Sequence, residues 1–71
     1  MATKFEIGEL VKAMENTQGL AKGQTYEVFD IFEIPVGIFG TVVEYTLKDS
    51  QNETIPGIRN GHLILESVGW A

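Results

Sequence analysis

The sequence predicts an all-β fold, a small barrel of five short strands. Three observations carry this. Eight glycines are spread along all 71 residues and cut the chain into short segments. Those segments are rich in Val, Ile, Tyr, Phe and Thr, the residue types that suit a pleated, half-buried surface. One of them, Thr41–Lys48, alternates over its whole length, with Thr41, Val43, Tyr45 and Leu47 on one side and Val42, Glu44, Thr46 and Lys48 on the other. Short strands of this kind close readily on themselves, and closure hides edges that would otherwise pair with other chains.

The first strand is expected over residues 9–15, with Val11 and Ala13 inward and Leu10, Lys12 and Met14 outward. A helix over residues 7–14 competes, because Ile7, Leu10, Val11 and Met14 also fit a 3.6-residue period. A loop comes next over residues 16–24, broken by Gly19 and Gly23, with Leu20 tucked beneath it. The second strand starts at Thr25. It places Tyr26, Val28 and Asp30 on one face and Phe29 and Ile31 on the other, so a bend or bulge is expected near Phe29 and Asp30. Residues 31–39 read as an apolar connector, with Pro35 interrupting any ladder. After the third strand, residues 49–52 form a polar turn. The fourth strand, residues 53–58, contains Pro56 and Gly57 and so belongs at an edge. Residues 59–62 form a tight turn of 3₁₀ character, and residues 63–68 form the fifth strand. A 3₁₀ turn just before the last strand is the order found in SH3-like barrels, so the fold class becomes an all-β, five-stranded SH3-like barrel. The expected core is Val11, Ala13, Tyr26, Val28, Val43, Tyr45, Leu47, Ile58, Leu63 and Leu65.

The frame Gly8-Glu9-Leu10-Val11, then Lys22-Gly23-Gln24-Thr25-Tyr26-Glu27-Val28, then Asn60-Gly61-His62-Leu63-Ile64-Leu65 resembles a family of very small SH3-like proteins of bacteria, particularly cyanobacteria, and bacteriophages. Gly19-Leu20 and Val43-Glu44-Tyr45-Thr46-Leu47-Lys48-Asp49 belong to the same frame. The resemblance runs over about residues 5–68 and implies an SH3-like barrel spanning the chain as a single domain. It implies almost nothing about activity, since function does not follow from fold.

Composition bounds the function. Five Lys+Arg against ten Asp+Glu give a net charge of −5. That balance opposes a polyanionic partner, so nucleic-acid binding is kept only as an alternative. There is no cysteine and a single histidine, His62, which leaves no zinc set and no Cys–His pair. His62 reads as a turn residue beside a Gly61 of positive φ. The carboxylates Glu6, Glu9, Asp30, Glu33, Glu44, Asp49 and Glu53 are scattered as solvated or turn residues. Gly37 and Gly40 frame no phosphate cradle, because strand rather than helix comes after them. No enzyme activity and no cofactor are expected. The chain's opening residues do not read as a leader peptide, no run is long enough to span a membrane, and the expected location is cytoplasmic.

One segment stands out. Seven of the nine residues 31–39 are apolar. Loops of small domains are usually polar, and a contiguous apolar surface marks a contact site. Phe32, Ile34, Pro35, Val36, Ile38 and Phe39, with Trp70 near the C-terminus, are the candidate partner-binding residues. The competing reading makes Ile31, Ile34 and Phe39 a cap on one barrel end. The expected function is a small non-enzymatic protein-interaction module, binding a protein partner or weakly self-associating. A nucleic-acid-binding barrel is one alternative. An accessory subunit of an electron-transfer assembly is another, resting on likeness of fold alone.

Overall fold

The computed structural model describes residues 5–71; the opening residues 1–4, on which part of the leader-peptide expectation falls, lie outside the described residues. Five strands form one antiparallel sheet: β1 (Glu9–Ala13), β2 (Thr25–Pro35), β3 (Thr41–Lys48), β4 (Thr54–Arg59) and β5 (Leu65–Trp70), in the order β4-β3-β2-β1-β5. The sheet curls around one core but its hydrogen-bond ladder is open between β4 and β5. One helical turn, α1 (Gly61–Ile64), joins those two end strands. No helix among the described residues is long and apolar enough to cross a membrane.

The alternation in β1 is as expected: Val11 and Ala13 are buried, and Lys12 and Met14 are exposed. The helical alternative over residues 7–14 does not form. The extended pairing of Val11 with Tyr26 and Ser67 buries its side chain in the sheet interior. Leu20 is buried under its loop, where Gly19 and Gly23 take left-handed φ values. The Tyr26 hydroxyl accepts from the Ala21 N–H at 2.9 Å and ties that loop to the sheet.

The bulge in β2 falls between Val28 and Asp30. An extra residue reverses the parity of the rest of the strand. Phe29 is thereby turned outward beneath the Lys48 ammonium, 5.2 Å from its ring centre, and Ile31 joins Val28 against the core.

Three expectations need correction. Residues 31–39 are not a connector. β2 runs on to Pro35, pairing Ile31 with Tyr45 and Pro35 with Thr41, and a 3₁₀ turn at Gly37–Phe39 closes the hairpin. Pro35 is tolerated because the Val36 N–H donates to the Gly40 carbonyl at 2.9 Å. Pro35, one residue earlier, therefore points its nitrogen away from β3, towards an open edge. Leu63 is not core: it is 69% exposed, and Ile64 is buried in its place. The cause is that residues 61–64 adopt a helical turn, so β5 begins at Leu65 and the two-residue alternation starts later than expected. Finally, the positive φ at that turn belongs to Asn60, at 58°. Gly61 is needed for space: a Cβ there would lie 2.6 Å from Cε2 of the buried Tyr45 ring.

The core comprises Phe5, Val11, Ala13, Leu20, Tyr26, Val28, Tyr45, Leu47, Ile58, Ile64 and Leu65, with Ile31, Val43 and Ile55 packed against it. Phe5 meets the Tyr45 ring edge-on at 5.6 Å between centroids. Glu9 is buried, with its Oε1 accepting the Glu6 N–H at 3.0 Å.

A candidate contact arm

β1 pairs with β2 only as far as Glu27, with one further bond from the Gly8 N–H to the Val28 carbonyl. β4 leaves β3 at Glu44, which pairs with Arg59. Beyond these points the β2–β3 hairpin has no flanking strand, and it continues as a two-stranded arm to the turn at Gly37–Phe39. The described fold is correspondingly elongated, 37 Å along its longest axis against 22 and 19 Å.

The arm's end is built by glycine. Gly37 has φ 64° and Gly40 has φ 110° with ψ −145°, the latter a region open essentially to glycine alone. Between them the chain presents Ile38 and Phe39, which are 94% and 89% exposed. Along one face of the arm, Phe32 and Ile34 stand beside their partners Glu44 and Val42. Phe32 and Ile34 are about half and a third exposed, and Val36 precedes the turn, also exposed. The cap reading therefore fails for Ile34 and Phe39, and holds only for Ile31.

Trp70 does not join the arm. It lies on β5 opposite Glu9, exposed and separated from β2 by β1. Of the sequence-derived candidates, the structure brings together Phe32, Ile34, Pro35, Val36, Ile38 and Phe39 on one projection. Val42 is an addition to them. As the partner of Ile34 it shares that face, and the outward half of the β3 alternation already implies it.

The electrostatics of the arm are one-sided. From Gly23 to Leu47 the chain holds Glu27, Asp30, Glu33 and Glu44 and no Lys or Arg. Arg59 reaches across from β4 to bind Glu44, Nε to Oε2, at 2.6 Å. Glu33 lies on the exposed stretch just before the tip. Among the described residues no three His, Asp or Glu side chains gather into a metal-binding group. His62 sits exposed on α1, away from the arm in the sheet order.

In comparisons with known proteins, the chain matches no family model, no curated protein and no solved structure.

Proposed function

We propose that this protein is a cytoplasmic, non-enzymatic interaction module on an SH3-like barrel, and that it engages a protein partner through the apolar tip of its β2–β3 arm. The barrel reading is supported by the strand order, in which β1 lies between β2 and β5, and by the single helical turn before the last strand. The observation that carries the function is the near-complete exposure of Ile38 and Phe39 at the apex of a hairpin.

Folding gains little from these side chains. Covering each would contribute about 1.5–3 kcal/mol. Association itself costs on the order of 4–15 kcal/mol in lost translational and rotational freedom. Two side chains, at about 3–6 kcal/mol together, reach only the low end of that cost, so stable binding also covers Phe32, Ile34, Val36 and Val42. The favoured partner surface is an apolar pocket with a basic rim, because the arm offers carboxylates and no cation of its own. Two copies meeting arm to arm would bring like charges together, so self-association is the weaker mode.

The test compares wild type with an Ile38→Ser and Phe39→Ser double variant. Circular dichroism should be unchanged, because neither side chain is in the core. Binding to the captured partner should fall by about a hundredfold or more, the equivalent of roughly 3 kcal/mol. Retained affinity in a folded double variant would refute the assignment.

A further inference from the structure

Open strand edges invite other strands, through unpaired N–H and C=O groups. This sheet has a long one. From the bulge to Pro35, the side of β2 facing away from β3 has no partner strand among the described residues. The alternation set by the Val36–Gly40 bond directs the backbone N–H and C=O groups of Phe32 and Ile34 towards β3. It directs those of Ile31, Glu33 and Pro35 away from it, to the open edge. Two of those three outward positions offer no donor. The Ile31 N–H is taken by the Oδ1 of its own neighbour Asp30, at 2.9 Å, and Pro35 has no N–H. Glu33, the position left between them, places a charge beside any incoming strand.

A second exposed edge, on β4, is treated in the same way by different residues, whereas the outer side of β3 at Thr41–Val43 has no such guard among the described residues. Ile58 pairs with Tyr45, so Arg59 next to it faces outward. Both of its backbone groups are occupied by one side chain. The Gln18 Nε2 donates to the Arg59 carbonyl at 2.8 Å, and the Arg59 N–H donates to the Gln18 Oε1 at 2.8 Å. The carboxamide of a loop residue thus reproduces the two bonds of a strand pair. Gln18 holds this position from a left-handed backbone conformation, φ 53°, that few non-glycine residues adopt. Pro56 removes another donor from the same strand. β5, another end strand, has a register shift in its pairing with β1 between Ser67 and Gly69, a feature that itself blunts an edge.

We propose that Asp30 and Pro35 on the β2 side of the arm, and Gln18 and Pro56 on β4, close these two edges to strand addition. The inference goes beyond the functional reading above and does not depend on it.

The test is made in the Ile38→Ser, Phe39→Ser background, which removes association through the tip. Into it are introduced Asp30→Ala and Pro35→Thr together. Sedimentation equilibrium should show the parent monomeric and the edge-opened variant associating. Amide exchange at residues 31 and 33 should slow as the concentration of the edge-opened variant rises. A folded edge-opened variant that remains monomeric would overturn the proposal, as would pairing through the β2 or β4 edge in the parent. Should the edge-opened variant fail to fold, Asp30→Ala alone decides. Loss of the carboxylate should speed exchange of the Ile31 amide by about tenfold or more, the equivalent of roughly 1.4 kcal/mol or more. Unchanged exchange would overturn the guarding role. On β4, Gln18→Ala should speed exchange of the Arg59 amide in the same way, and an unchanged rate there would remove Gln18 from the proposal.

Discussion

Replacing Gly61 by Ala places one methyl group against the centre of the fold. The new Cβ would lie 2.6 Å from Cε2 and 2.9 Å from Cδ2 of Tyr45, and 3.5 Å from Cδ1 of Leu65. Tyr45 cannot swing aside: it is 3% exposed, its backbone pairs with both β2 and β4, and Phe5 packs on its ring. Overpacking of this kind costs about 1–3 kcal/mol. Two effects oppose it. Alanine gains up to about 1 kcal/mol over glycine in a helix, and it also narrows the unfolded ensemble. Gly61 is the first residue of a single turn, so little of the helical gain is realised, and the steric term wins. The expected net loss is about 1–2 kcal/mol. For a domain of this size that lowers the melting temperature by roughly 4–16 °C. Urea unfolding followed by circular dichroism measures it directly. A second arm isolates the cause: in a Tyr45→Leu background the ring edge is gone, and Gly61→Ala should become close to neutral. If Gly61→Ala is as stable as wild type, or if its cost persists without the ring, the packing argument is wrong.

Three further outcomes are expected from the same structure. Leu65→Ala should cost about 2–5 kcal/mol, and Val43→Ala distinctly less, because Leu65 is 3% exposed whereas Val43 is only partly buried; equal losses in thermal melts would contradict this ordering. His62→Gln should keep the fold and any partner binding, with stability changed by under about 1 kcal/mol, since His62 is an exposed residue of α1; loss of a measurable catalytic activity in the folded variant would overturn the non-enzymatic reading. Labelled single- or double-stranded DNA should show no mobility shift at low salt, where electrostatic attraction is strongest; a shift that fades as salt rises would revive the nucleic-acid alternative.

Much of the sheet is legible in the sequence because period-two alternation is a direct image of a half-buried strand. The bounds of β3 agree between sequence and structure, and the bulge in β2 is visible as apolar residues on both faces of one strand. The arm reads as a loop for a physical reason. A two-stranded ribbon with open edges gains little from folding, and an apolar run with a proline gives no alternating signal to oppose that. In the sequence β5 starts two residues early because Leu63 and Leu65 alternate correctly for a strand, while the helical turn that exposes Leu63 depends on Asn60 adopting a left-handed conformation. Phe5 escapes a pattern-based core because it precedes the first strand, and burial of a single terminal aromatic depends on tertiary packing alone. The candidate contact residues are recognisable from apolar excess. Their grouping is not: composition alone adds Trp70, which β1 separates from the arm, and omits Val42.

The central claim, that the arm tip is where a partner is held, is tested most directly by site-specific photo-crosslinking. A benzophenone side chain is placed at Phe39, at the apex, and separately at Gln51, in the exposed turn after β3. Irradiation in an extract of the source cells, followed by mass spectrometry of the adducts, reads which surface is covered. The account predicts one discrete adduct from position 39, mapped to an apolar pocket bordered by Lys or Arg, and none from position 51. No adduct from position 39, or the same adducts from both positions, would contradict it.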